Sequence, residues 1–294
     1  MSTDPKATDP RPLRIDSHHH LWDLAVRDQA WTVNLPGIHR SFSLDDLRPA
    51  LVRKQIDGTV LVQTVAVAAE TPEFLAIAHA DPAVLGVVGW VDLTGVDVAG
   101  RLAELDDPLL VGIRALAQDE PDPGWLCRPD VIRGVAAVGA AGLVYDLLVR
   151  HTQLPAAIEL VRALPEVSFV LDHAGKPAIS EGSWHPWAEG IEVLAGHQNV
   201  VVKLSGLVTE TGGDPSARAI SPYSDHLLRS FGPSRLMFGS DWPVCLLAAS
   251  YDEVVELTDV LTGQLSPSER AEVFGGTADR WYGLLRSGSD SLPA

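Results

Sequence analysis

Cysteine, positive charge and long apolar runs are all scarce in this sequence, and each shortage argues against a class of function. The 294 residues include two cysteines, Cys127 and Cys245, far apart and matching no Cys-rich metal pattern. That leaves no disulfide framework and points to a reducing, cytoplasmic setting. Lys and Arg total 22 against 39 acidic residues, a formal charge of -17. Nucleic acids and anionic membranes both reward Lys and Arg, so neither is an expected partner. No segment reaches the ~20 consecutive apolar residues that span a bilayer. Residues 1–12 are polar and Pro-rich with no signal-peptide core, and read as a disordered leader; residues 286–294 read as a flexible tail. Short internal repeats and interdomain linkers are absent too. With 46% hydrophobic and 21% charged residues, the chain is suited to one large core, and residues 13–285 read as a single domain. The sequence specifies no oligomeric state.

Eight short apolar runs recur along that domain: Leu13–Ser17, Thr59–Thr64, Leu85–Leu93, Leu109–Leu116, Gly142–Leu148, Val167–His173, Asn199–Ser205 and Arg235–Ser240. Most are near-continuous in Val, Leu and Ile, the pattern of strands covered on both faces. Helical segments lie between them. Thr71-Pro72-Glu73 supplies a cap and a proline at a helix start, Pro155 opens Ala156–Leu164, and Ser266-Pro267-Ser268-Glu269 opens the last long helix. Asp130–Ala141 and Asp252–Leu261 are also helical in pattern. Eightfold strand–helix alternation predicts an α/β fold, a (β/α)8 TIM barrel, with a doubly wound open sheet as the alternative. Two connections, Leu21–Phe42 and Gly206–Ser221, are longer than plain βα loops and would cover the C-terminal mouth.

The stretch Asp16-Ser17-His18-His19-His20 ends the first strand. Side chains alternate along a strand, so Asp16, His18 and His20 are expected on one face and Ser17 and His19 on the other. Two inward imidazoles can share one metal ion or polarise one carbonyl. Catalytic groups in barrels sit at the C-terminal ends of strands. There the sequence places Arg114, Tyr145, Asp146, Asp172, His173, Lys203 and Asp241 where apolar residues would otherwise be expected. Alternation allows only one of Asp172 and His173 to face inward; the more terminal His173 is taken as the site residue, which leaves Asp172 facing away, where it could cap a loop. Trp22 and Trp242, with Trp184 and Trp187, fall near the mouth, where they could cover a sugar ring or plug the barrel end. His79, His197 and His226 read as packed or helix-end residues; His39, His151 and His185 lie in or near loops. Cys245 reads as a small core residue, with no base beside it.

The segments IDSHHHLWD, VGIR, LVYDLL, FVLDHAGKP, VVKLSGL and LMFGSDWPVC run in order over nearly the whole domain. In them the chain resembles the amidohydrolase superfamily, in the branch of TIM-barrel sugar lactonases and pyrone-dicarboxylate lactonase. The resemblance implies hydrolysis of a cyclic ester. Asp241 would be the general base, with His18, His20 and His173 around the scissile carbonyl, directly or through a metal, and Arg114 steadying the substrate. Tyr145, Asp146 and Lys203 would offer donors and acceptors to the ring, and Trp22 and Trp242 its apolar cover. Lys176 in DHAGKP matches a family motif position, where Gly-Lys-Pro serves to shape the loop. Arg114 and Tyr145-Asp146 stand where two-metal relatives carry a carboxylated lysine and a histidine, so a binuclear site is not expected. His18, His20, His173 and Asp241 could hold one zinc, or work without metal. The expected substrate is a small sugar-acid lactone of fuconolactone or rhamnonolactone type. A decarboxylase of the same superfamily, a hydrolase of a pyrone or muconolactone dicarboxylate, and a non-catalytic sugar-acid binder are the alternatives.

Overall fold

The structure is a computed structural model that describes residues 11–285. Eight parallel strands follow in chain order: β1 (Ile15–His19), β2 (Gly58–Val62), β3 (Val84–Gly89), β4 (Leu110–Ala115), β5 (Val144–Leu147), β6 (Phe169–Leu171), β7 (Val200–Leu204) and β8 (Leu236–Phe238). Each strand pairs with its successor, so the order never reverses as it must in a doubly wound sheet. Just past β8 the sheet closes on β1: the Asp241 amide donates to the His18 carbonyl at 2.8 Å, and the His20 amide to the Trp242 carbonyl at 2.7 Å. The fold is the expected (β/α)8 barrel.

The helices around it are α1 (Leu44–Lys54), α2 (Glu70–Ala80), α3 (Val98–Glu104), α4 (Pro129–Ala140), α5 (Leu154–Ala163), α6 (Trp187–Ala195), α7 (Ala217–Phe231) and α8 (Tyr251–Leu261), with α9 (Pro267–Ala271) and α10 (Thr277–Tyr282) after them. Ser43, Ser250 and Ser266 each start a helix in a capping box with an acidic residue three positions on, which satisfies amides the first turn leaves unpaired. The loop expected over Gly206–Ser221 is shorter than the sequence suggested. Ser216 caps α7, which buries Ile220, Tyr223 and Leu227, so the last five residues of that stretch are helical, and Leu207–Thr211 form a short 3-10 helix before it. Among the described residues no helix is long and apolar enough to cross a membrane. The expected leader and tail lie outside the described residues, except that Arg11 pairs with Asp57 at 2.6 Å.

The barrel interior is layered. Ile15, Val60, Val88, Val144, Val170, Val201 and Met237 meet in its lower part, with Tyr282 of α10 packed among them. Burying each such side chain stabilises the fold by about 1.5–3 kcal/mol. Above this apolar layer the inward positions become charged: Arg114 on β4, Asp146 on β5, Asp172 after β6 and Lys203 on β7 are all buried. The dry floor therefore supports a polar layer that opens only at the strand ends.

β1 departs from simple alternation. Its register against β2 skips from Asp16↔Thr59 to His19↔Leu61, three residues against two, so a bulge lies between them. Asp16 consequently does not share a face with His18 and His20. It points away to α8, accepting from the Tyr251 hydroxyl at 3.1 Å and the Ser240 amide at 2.8 Å. His19 faces away as well, 3.0 Å from the Thr59 hydroxyl.

Candidate active site

His18 and His20 both enter the mouth, with their Nε2 atoms 3.2 Å apart. Asp241 reaches the same point from the end of β8, at φ 57. Its Oδ1 lies 3.4 Å from His20 Nε2, 3.7 Å from His18 Nε2 and 3.9 Å from His173 Nε2. The four predicted catalytic residues are thus neighbours in space, although they come from three separate strand ends. His20 Nδ1 lies 2.8 Å from the Val62 carbonyl, which can only accept, so Nδ1 carries the proton and Nε2 offers its lone pair in the neutral ring.

His173 arrives by a route that alternation does not describe. His173, Ala174, Gly175 and Lys176 all have positive φ, at 51°, 53°, 68° and 48°. This left-handed turn costs about 1–2 kcal/mol at each residue that is not glycine. The turn begins after Asp172, so Asp172 keeps the inward direction set by Val170 and His173 swings inward behind it. The expectation that Asp172 faces away from the interior is therefore corrected: it is fully buried, 3.3 Å from His18 Nδ1, and accepts from Arg114 at 3.0 Å. His173 Nδ1 lies 2.9 Å from the Ser205 hydroxyl. Gly206 at φ 66 passes so close beneath that a Cβ there would lie 2.5 Å from the His173 ring nitrogen.

Asp146 and Lys203, expected to touch substrate, instead form the layer below. Lys203 Nζ contacts Asp146 at 2.6 Å, Asp172 at 3.0 Å and His18 Nδ1 at 3.1 Å, and all four residues are fully buried. The Tyr282 hydroxyl donates to Asp146 at 2.8 Å from beneath. These groups orient His18 rather than line the cavity. Tyr145, one position before inward Asp146, faces the opposite way by strand alternation and stacks edge-on against Phe169 in the helix–sheet core. It is not a site residue.

The tryptophans are also redistributed. Trp22 and Trp242 each pack edge-on against Phe42, at 5.2 Å, and belong to the core. Trp184 and Trp187 cluster with Tyr223 and His226. The tryptophan that does line the cavity is Trp31, in the long loop after β1; its indole N–H donates to Gln29, which donates in turn to Thr64 at the end of β2. Of the remaining histidines, His79 pairs with Asp107, His185 with Glu189, His39 with Thr32 and His226 with the Ala188 carbonyl. His151 donates to the Lys176 carbonyl. Cys245 is buried, which pushes its thiol far above the ordinary range, as suits a packing residue.

The cavity over this set has a volume of about 320 Å³ and is lined by His20, Arg114, His173 and Asp241 with Lys176 and Trp31. A larger hollow of about 730 Å³ between α3, α4 and α10 contains no imidazole and no cation, so the chemistry belongs to the smaller one. Burial lowers His18 well below the usual imidazole range and lowers His173 to about 4, against the opposing pull of nearby carboxylates. Both rings are neutral at pH 7. Burial pushes the Asp241 carboxyl up, but the attraction of His173, His20 and His18 in their protonated forms outweighs it and sets the carboxyl below the ordinary range, so at pH 7, with His18 and His173 neutral, it is ionised. An ionised base beside neutral imidazoles can deprotonate water, and Arg114 supplies fixed positive charge 3.2 Å from His18 Nε2.

The same donors suit one divalent ion. Ligand atoms of His18, His173 and Asp241 lie within 4.8 Å of one another, and the neutral rings keep lone pairs available. Two ions do not fit this set, because the inward position on β4 is Arg114 and the one on β5 is Asp146 in an ion pair with Lys203.

Comparison with known proteins shows the family. The family model described as Amidohydrolase matches residues 15–284, and the chain belongs to that family. It is 38% identical over 284 residues to an L-fucono-1,5-lactonase of Burkholderia ambifaria, covering 95% of this chain and 98% of that one. To an L-fucono-1,5-lactonase of Burkholderia multivorans it is 40% identical, covering 92% and 96%. A crystal structure of an amidohydrolase from Burkholderia multivorans with bound zinc superposes with a TM-score of 0.88 at 40% identity, covering 92% of this chain and 99% of that one.

Proposed function

We propose that this chain hydrolyses the lactone of a sugar acid, with Asp241 as general base. One observation carries the reading: an ionised carboxylate has three imidazoles within 3.9 Å and faces a cavity sized for a small ring. The similarity to L-fucono-1,5-lactonases supports the substrate class. A lactone carbonyl seated over His18, His20 and His173 lies beside Asp241. Asp241 takes a proton from water as the water oxygen bonds the acyl carbon, and the positive charge of Arg114 stabilises the charge growing on the carbonyl oxygen. The tetrahedral intermediate then expels the ring oxygen, which receives the proton back from Asp241 and leaves as a hydroxyl. The product acid ionises and releases one proton to solvent. His18, His173 and Asp241 would hold a single divalent ion, which when bound supplies Lewis acidity at the carbonyl.

The partner on this reading is a small lactone; the net charge of -17 speaks against nucleic acid and anionic membrane. The two free thiols support a cytoplasmic location. A pH-indicator assay over a panel of aldonolactones plus one dicarboxylate lactone tests the substrate class. Acid release from the aldonolactones is expected. Release from the dicarboxylate alone would replace the substrate class, and release from none would remove the hydrolase reading.

A further inference from the structure

Two cations line the cavity, and they are in different states. The guanidinium of Arg114 is committed within the protein: it donates to Asp172 at 3.0 Å, to the Gln63 carbonyl at 2.6 Å and to the Gln63 side chain at 2.9 Å, with His18 Nε2 at 3.2 Å. Lys176 is uncommitted. Lys54 and Lys203 are paired with Glu256 and Asp146, whereas no hydrogen bond or ion pair within 4.0 Å engages the Lys176 ammonium among the described residues.

The backbone explains how it comes to be there. Lys176 closes the left-handed turn that carries His173, and its amide donates to the His173 carbonyl at 2.9 Å. With about three residues per turn, positions i and i+3 lie on one side, so His173 and Lys176 project together into the cavity. Lys176 itself sits at φ 48, a conformation that glycine would adopt without strain. A strained lysine held beside a catalytic histidine marks a functional requirement for its side chain.

The position also says which part of a substrate it meets. Lys176 is more than 4.0 Å from the Asp241 carboxylate, since no ion pair joins them, so it does not sit at the reacting carbon. A lactone whose carbonyl is seated at Asp241 would therefore present the rest of its ring to Lys176. Glu210 and Asp241 attract it while Arg150 and Arg114 repel it, and burial lowers its proton affinity. An ammonium offers three donors and no acceptor, which matches ring hydroxyl oxygens.

Resting on the lactonase reading above, we propose that Lys176 is a specificity-determining residue whose ammonium hydrogen-bonds the hydroxyl groups of the sugar lactone and distinguishes hydroxylated rings from bare ones. The test compares wild type, Lys176→Met and Lys176→Arg on a six-membered aldonolactone and on unsubstituted δ-valerolactone. Lys176→Met should lose about 10–100-fold in kcat/KM on the aldonolactone, mostly through KM, as expected for a charged hydrogen bond. On δ-valerolactone it should remain close to wild type, and Lys176→Arg should recover part of the aldonolactone loss. Equal losses on both lactones, or no loss on the aldonolactone, would overturn the assignment. Thermal unfolding of Lys176→Met separates a folding defect from lost recognition, because a folding defect lowers both activities together. A wild-type enzyme that opens neither lactone would instead remove the lactonase reading, and this inference with it.

Discussion

Lys203 and Asp172 form a fully buried ion pair at 3.0 Å, and His18 rests against both. Taking two charges out of water is costly, and the structure offsets this by giving each further partners: Asp146 for Lys203 and Arg114 for Asp172. Removing one member leaves opposite charges buried without compensation. Lys203→Met should therefore reduce the unfolding free energy by about 3–5 kcal/mol in urea denaturation. Adding Asp146→Leu and Tyr282→Phe to it, which removes the charge and hydroxyl stranded beneath, should restore part of that loss. A Lys203→Met protein as stable as wild type would show that the buried charges are not coupled in this way.

His19 separates fold from site. It is fully buried and faces away from the cavity, so turnover should survive His19→Asn, whereas His18→Ala and His20→Ala should impair it. Burial, with His20 nearby, lowers the His19 imidazole to about 3, below the ordinary 6.5. With a folded value below the unfolded one, its stabilising contribution is complete above pH 6.5 and is lost as pH falls toward 3. Between pH 6.5 and 5, wild type should lose about 1.6 kcal/mol more unfolding free energy than His19→Asn, as the unfolded chain goes from half to almost fully protonated at this position while the folded one stays neutral. Parallel stability profiles for the two proteins would place a water-exposed imidazole at position 19.

The donor set makes a stoichiometric prediction. Wild-type protein equilibrated with zinc and desalted should retain one ion per chain by elemental analysis, and His173→Ala should retain none. Two ions per chain, none in wild type, or undiminished binding by the variant would each rule out the His18–His173–Asp241 set.

Much of this was legible in the sequence because it follows from periodicity. Eight Val- and Leu-rich runs alternating with capped helices specify the barrel, and inward charge among strand residues marks the polar layer. His18 and His20 were found by alternation even though a bulge after Asp16 removed that residue from their face. Alternation misjudged Asp172 because the strand ends there and a left-handed turn begins; its only sequence mark is Gly175, one of four residues with positive φ. Tyr145 was misplaced because a polar strand residue looks functional whichever face it occupies. Depth was likewise illegible: Asp146 and Lys203 are inward, as expected, but lie beneath the cavity rather than in it. The tryptophans defeated proximity in sequence. Trp22 and Trp242 adjoin site residues in sequence yet pack against Phe42, while Trp31, well along the loop, reaches the cavity.

The most direct measurement follows proton release from a six-membered sugar-acid lactone at pH 7 with wild type and Asp241→Asn side by side. If Asp241 deprotonates the attacking water, wild type should turn over well above spontaneous opening, and the variant should lose roughly 10²–10⁴-fold in kcat with KM little changed. A variant that keeps near-full kcat would contradict the role of Asp241, and a wild type no faster than spontaneous hydrolysis would contradict the lactonase reading as a whole.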